Sequence, residues 1–208
     1  VDEPRIPLLV AVGVSAGGLT ALSTLLSGLP ADFRGTVVIV QHRGRDSTLL
    51  CGLLQATTPL PVSEVVDKEP IEPGHIYLAA PDYHLLLEPG LFSLSTDDPV
   101  RFSRPSIDVM LSSAAEAYGP AVLGIVLTGA NEDGALGLRC IVDAGGRAAV
   151  QDPSTAEAPA MPEAARRRVP EAVVLPLEEL AAYATRAAEE ALDAQHAEDG
   201  RAAAGRRR

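Results

Sequence analysis

The sequence predicts an α/β domain: a doubly wound, mainly parallel sheet of the Rossmann-like kind with a short antiparallel β-hairpin insertion. Three observations predict it. Short, continuous, β-branched apolar runs recur along the chain, the pattern of strands buried on both faces. Segments with apolar residues at helical spacing lie between them, and strand–helix alternation implies parallel pairing. Residues 75–95 break the alternation, with short strands separated only by Pro/Asp and Pro-Gly, which implies a meander or hairpin.

The elements follow in order. Residues 1–6 are polar. Pro7 to Val14 is a buried strand, broken by Ser15-Ala16-Gly17-Gly18. Leu19, Leu22, Leu25, Leu26 and Leu29 then keep helical spacing. Thr36 to Gln41 is a second buried strand, and His42 to Asp46 a loop. Ser47 is placed to cap a helix through about Gln55, and Pro61 to Val66 is a weaker strand. In the β-rich insertion, His75 to Ala80, Leu85 to Leu87 and Leu91 to Leu94 are short strands, with Pro89-Gly90 as a turn. Ser106 opens a helix to about Tyr118, with Asp108 near its positive end. Ala121 to Thr128 is a buried strand, and a polar loop at 129–134 leads into a helix ending near Ala144, stopped by Gly145-Gly146. Arg147 to Gln151 is a strand, 152–162 a Pro-rich loop and Val173 to Leu175 a last strand. A helix from Leu177 to about Ala191 closes a domain spanning 1–192, and 193–208 reads as a disordered charged tail.

Composition narrows the function. The 208 residues suit one domain large enough to bury a core without a disulfide or metal staple. A formal charge of −11 disfavours nucleic-acid binding, which depends on Lys and Arg. No apolar run reaches the ~18 residues of a membrane span. Asp2 and Glu3, rather than a basic region, precede the first apolar run, so no secretory signal is expected and a cytoplasmic location is. Cys51 and Cys140 lie in apolar segments without metal-type spacing and read as buried thiols in a reducing compartment. No metal and no cofactor is expected.

In a parallel sheet, chemistry gathers in loops at the carboxyl ends of strands, and three such loops carry residues of catalytic type. Gly13-Val14-Ser15-Ala16-Gly17 matches G-x-S-x-G, the nucleophile-elbow pattern. A serine at a sharp strand-to-helix turn meets the unpaired N–H groups and partial positive charge that favour a developing oxyanion. A Gly-rich turn of this kind also suits phosphate, although Ser15 stands where the dinucleotide pattern requires its second glycine. His42 ends the next strand. It reads as the base a serine nucleophile needs or as a solvated loop histidine. The loop after the 121–128 strand holds Glu132 and Asp133. Spacing does not choose between them as the carboxylate that would orient an imidazole, and a helix cap is the competing reading. His75 and His84 read as structural or surface residues, and His196 lies in the tail.

With these residues in place, the chain resembles the catalytic domain of the CheB-type chemotaxis protein-glutamate methylesterases over roughly residues 8–190. Val12-Gly13-Val14-Ser15-Ala16-Gly17-Gly18 resembles that family's serine motif, and Gln41-His42 its histidine motif. Arg104-Pro105-Ser106-Ile107-Asp108 is similar to its stretch before a helix, and Leu127-Thr128-Gly129 with Asp133-Gly134 to its aspartate motif. Ala160-Met161-Pro162 stands where the family has a Met-Pro loop beside the cleft. The resemblance implies Ser15 as nucleophile, His42 as base and acid, and Asp133 as orienting carboxylate, with backbone support from Ala130 and Ala16. There are three departures from the family pattern: Ala16 for a hydroxyl residue, Ala130-Asn131 for Met-Gly, and Ala160 for glycine. Typical members also carry a receiver domain ahead of the catalytic one. Only some six residues precede the first strand here, so a standalone catalytic domain, a fragment or a family variant is expected.

The implied activity is hydrolysis of glutamyl methyl esters on a chemoreceptor's helical cytoplasmic domain, with receptor glutamine deamidation by the same groups. Arg43, Arg45, Arg101 and Arg104 lie near the motif loops and are expected either as solvated residues or as a basic patch for acidic receptor helices. Arg166-Arg167-Arg168 reads as a solvated helix face. The rival readings are a non-catalytic receptor-binding module on the same fold, a small-molecule serine esterase and, more remotely, a nucleotide-binding domain.

Overall fold

The computed structural model describes residues 6–43 and 49–205. β1 (Leu9–Val14) lies at the centre of a seven-stranded sheet. It pairs in parallel with β2 (Thr36–Gln41) on one side and with β7 (Val122–Val126) on the other. β3 (Val62–Glu64) and β4 (Ile76–Leu78) extend the β2 side, and β8 (Arg147–Gln151) and β9 (Val173–Leu175) the β7 side. The order is β3-β4-β2-β1-β7-β8-β9, and every pairing is parallel. β5 (His84–Glu88) and β6 (Leu91–Ser95) form a separate antiparallel hairpin. The 76–78 strand therefore leaves the meander in which its sequence neighbours placed it. Its residues are all buried and pair between β3 and β2, a tertiary demand that its three residues do not announce.

Side chains alternate across the central strands and feed two apolar layers. Val10, Val12 and Val14 face α1 (Gly18–Ser27), α2 (Leu50–Gln55) and α6 (Leu177–Gly205). Leu9 and Ala11 face α3 (Ile107–Tyr118), α4 (Ala135–Asp143), α5 (Ala160–Arg168) and the hairpin. That two-sided burial is why the strands read as unbroken apolar runs.

The expected α2 cap at Ser47 lies outside the described residues. Met161 and Pro162, expected in a loop, form the first turn of α5, where a proline lacking an N–H is tolerated. Arg166 to Arg168 end that helix on an exposed face, as expected. Cys51 is half-buried and Cys140 is exposed, against the expectation of two buried thiols; Leu138 and Ile141 occupy the inner face of α4 and leave position 140 outward. The closing helix does not stop near Ala191. The Ala-rich residues 193–205, expected to be disordered, continue it, with alanine the strongest helix former among them. Among the described residues, no helix is long and apolar enough to cross a membrane.

Candidate functional site

The sheet has a switch point between β1 and β7, because the chain leaves β1 toward β2 and leaves β7 toward β8. Adjacent strands whose connections diverge open a crevice at their carboxyl ends. Ser15 follows β1, His42 follows β2, and Asp133 lies in the loop after β7. Backbone bonds tie the three tips together: Ser15 N–H donates to Thr128 O at 2.9 Å, Leu127 N–H to Gly13 O at 2.9 Å and His42 N–H to Val14 O at 3.1 Å. Between Ser15 and α1 the chain turns at Gly17, whose φ of 76° is left-handed and favours glycine.

The structure brings the three predicted side chains together. Ser15 Oγ lies 3.2 Å from His42 Nδ1, and His42 Nε2 lies 2.8 Å from Asp133 Oδ2. The neighbours define the imidazole's tautomer. Asn131 Nδ2 donates to Nδ1 at 3.4 Å, so Nδ1 is the acceptor for the serine hydroxyl, and Nε2–H donates to the aspartate. The His42 side chain is 14% exposed and that of Asp133 is 0% exposed. Ser15 is half-buried at the edge of the crevice.

Asp133 is held by more than the histidine. Oδ2 also accepts Ile107 N–H at 2.7 Å; Oδ1 accepts Ser106 Oγ–H at 3.0 Å, Asp108 N–H at 2.9 Å and Gly134 N–H at 3.1 Å. The carboxylate thus sits on the N-terminus of α3, where backbone donors and the helix dipole favour negative charge. Burial pushes its carboxyl up, but the His42 bond and the Asp108 and Ile107 N–H groups outweigh this and hold it below the usual range. Asp108 mirrors the arrangement: its Oδ1 accepts Gly134 N–H at 2.9 Å and Gly137 N–H at 2.8 Å, at the N-terminus of α4. Each aspartate therefore seats its carboxylate on the start of the helix beside the other. For Asp108, burial and then the charge of Asp133 prevail over the opposing N–H donors, and its carboxyl is raised.

Thr128 and Gln151 brace the loops around Ser15, a role the sequence reading did not assign. Thr128 Oγ1 donates to Ala16 O at 2.9 Å and accepts Ala158 N–H at 2.9 Å, while Thr128 N–H donates to Gln151 Oε1 at 2.9 Å. Gly129 and Met161 complete the brace, with Gly129 N–H on Ala158 O and Met161 N–H on Gly129 O, each 2.9 Å. Ala16 and Ala130 are exposed residues, and among the described residues their N–H groups find no hydrogen-bond partner.

The remaining expectations sort as follows. His84 is buried and structural, taking Ser106 N–H on Nδ1 at 3.2 Å and reaching Asp98 O through Nε2 at 3.1 Å. His75 stacks on Tyr77 and bonds Ser63 Oγ. Among the described residues, the arginines do not form an open basic patch. Arg43 pairs with Glu64, Arg104 with Asp82, and Arg101 lies near both Asp108 and Glu132. Arg45 lies outside the described residues. Asn131 and Ser106, which touch His42 and Asp133 directly, were legible as a loop departure from the family pattern and as the helix-opening serine of a family-like stretch, without a role at the site.

Fold and site together define a class: a doubly wound parallel α/β protein with a hydrogen-bonded Ser–His–Asp constellation at the sheet's carboxyl edge. Comparison with known proteins narrows it. Residues 10–184 match the family model described as CheB methylesterase, and the chain belongs to that family. It is 45% identical over 174 residues to a putative protein-glutamate methylesterase/protein-glutamine glutaminase of Leptospira interrogans (strain Fiocruz L1-130), covering 83% of this chain and 90% of that protein. It is 36% identical over 192 residues to protein-glutamate methylesterase/protein-glutamine glutaminase 1 of Rhodospirillum rubrum, covering 88% of this chain and 49% of that protein. The chain thus spans most of the first relative and about half of the second. The crystal structure of the Thermotoga maritima CheB methylesterase catalytic domain superposes with a TM-score of 0.83 at 30% identity, over 86% of this chain and 97% of that one.

Proposed function

We propose that this protein hydrolyses glutamyl methyl esters on a chemoreceptor-type protein, acting in the cytoplasm, with Ser15 as nucleophile, His42 as general base and acid, and Asp133 as orienting carboxylate. The hydrogen-bonded chain from Ser15 through His42 to Asp133 carries the reading. A serine hydroxyl is a weak nucleophile until an adjacent base takes its proton, and the base works only in the right tautomer.

In the reaction, Ser15 Oγ attacks the ester γ-carbonyl while its proton passes to His42 Nδ1. The imidazolium that forms is stabilised through Nε2–H by Asp133, whose depressed pKa keeps it ionised. The unpaired N–H groups of Ala16 and Ala130 are assigned to the oxyanion. His42 returns the proton to the departing methoxide, so methanol leaves and an acyl-Ser15 ester remains. Water, deprotonated by His42, attacks that ester and releases glutamate and the free serine. The same groups would expel ammonia from a glutamine, which is the second activity in the relatives' names.

The test is methanol release from a methyl-esterified receptor fragment. Wild type is expected to release it, and Ser15→Ala to lose ~10⁴-fold or more in kcat with its fold intact. Turnover retained by Ser15→Ala would reject the nucleophile. Failure of a fluorophosphonate to label Ser15 would favour a non-catalytic binding module instead.

A further inference from the structure

Beside His42 opens a recess of about 340 Å³, lined by His42, Arg43, Phe102, Ser103, Arg104 and Pro105. Its outer wall is the tip of the loop between β6 and α3. That tip is a tight turn closed by reciprocal bonds, Val100 N–H to Ser103 O at 3.1 Å and Ser103 N–H to Val100 O at 2.9 Å. The two central residues, Arg101 and Phe102, have φ of 49° and 65°, a left-handed pair that ordinarily selects asparagine and glycine. Phe102 holds this strained conformation with its side chain fully exposed, so the ring contributes nothing to the core.

The rest of the loop is firmly anchored. Arg104 donates to Thr96 O at 2.8 Å, to Asp97 O at 3.0 Å and to Asp82 Oδ1 at 2.9 Å, and His84 bonds Asp98 O. Arg101 lies 3.7 Å from Asp108 and 3.5 Å from Glu132. The loop's cations are engaged by the protein's own carboxylates and carbonyls. What it presents outward, over the recess that contains the proposed base, is an aromatic ring on a rigid mount. Exposed aromatics set on a preorganised frame are the usual anchors of recognition surfaces.

We propose that Phe102 is the docking anchor for the substrate polypeptide, packing against an apolar side chain that flanks the esterified glutamate. The inference rests on the hydrolase reading above and deepens it. Phe102 and His42 line one recess, so a polypeptide that presents a side chain to His42 has flanking residues within reach of this rim, whereas a small ester has none. Recognition at this edge is then apolar and local rather than a long-range attraction between charges.

The experiment compares methanol release from a methyl-esterified receptor fragment with that from N-acetyl-glutamate γ-methyl ester, for wild type, Phe102→Asn, Phe102→Gly and Phe102→Tyr. Asn and Gly both tolerate the turn's backbone, so each is expected to melt at or above the wild-type temperature. In both, the ratio of kcat/KM on the polypeptide to kcat/KM on the small ester is expected to fall about tenfold or more, through KM. Phe102→Tyr, which keeps the ring, is expected to keep the wild-type ratio. An unchanged ratio in Phe102→Asn and Phe102→Gly, with wild type active on both substrates, overturns the anchor alone. Wild type inert toward both substrates overturns the hydrolase reading and the anchor with it.

Discussion

At the level of single residues, the paired aspartates make opposite commitments. Asp133 has a folded pKa below the ordinary carboxylate value, so its contribution to stability is complete above about pH 4 and is lost as pH falls through the depressed value. Asp133→Asn is expected to flatten that acid limb in denaturant titrations across the acidic range, and separately to cost ~10⁴-fold in kcat. An unchanged acid limb would mean that the carboxylate is not stabilised as the geometry implies. Asp108 has the reverse sign. Its folded pKa is raised, so ionising it costs stability that is spared below about pH 4 and is fully spent above the folded value. Asp108→Asn keeps an oxygen for the Gly134 and Gly137 N–H groups and removes the buried charge, so stability at neutral pH is expected to move by less than ~1 kcal/mol. Asp108→Ala leaves the buried Gly137 N–H unpaired and Gly134 N–H with only its longer bond to Asp133, and is expected to cost about 1–3 kcal/mol. Equal melting of the two variants would dismiss the cap.

Helices and strands set where those residues stand. α4 lies so close to α3 that a Cβ on Gly137 would meet Leu111 Cβ at 2.6 Å and the Asp108 carbonyl oxygen at 2.8 Å. Alanine is about 1 kcal/mol better than glycine within a helix, yet Gly137→Ala is expected to destabilise by about 1–3 kcal/mol, because backbone must shift to admit it. Activity should fall with stability, since the same two helix starts hold Asp133. A raised melting temperature would refute the close approach. Much at this scale was legible in the sequence. β2 and β8 fall where their apolar runs place them, because a strand buried on both faces has few polar interruptions, and β9 does so as a half-exposed edge strand of three apolar residues. The placement of β4 was not legible, since pairing partners belong to tertiary structure and three residues carry no register signal. The site was legible to the same degree. Ser15, His42 and Asp133 each end or follow a conspicuous strand. The bonds that seat Asp133, from Ser106 and the N–H groups of Ile107 and Asp108, arise from a helix some 25 residues away along the chain.

Taken as a whole, the molecule is a sheet with two apolar layers, and the closing helix contributes to only one of them. The α6 residues buried in that layer are Leu177, Leu180, Ala181, Ala184, Ala187 and Ala188, with Ala191 partly covered; residues 194–205 extend past it. Their helicity reflects propensity carried on from an anchored start, since isolated helical segments of that length are marginal. Removing residues 194–208 is therefore expected to lower the helical circular dichroism signal while changing unfolding free energy by less than about 1 kcal/mol. Methanol release should be unaffected. A larger loss would show that the distal turns bear on the domain.

The imidazole's orientation has a practical corollary for chemical probing. Its serine-facing atom is the nitrogen nearer its own main chain, while the farther one is occupied by the aspartate. A reactive haloketone delivered to the serine would therefore alkylate the near nitrogen. Fragment mass spectrometry, read against the two isomeric N-alkyl histidine standards, would return the π rather than the τ adduct.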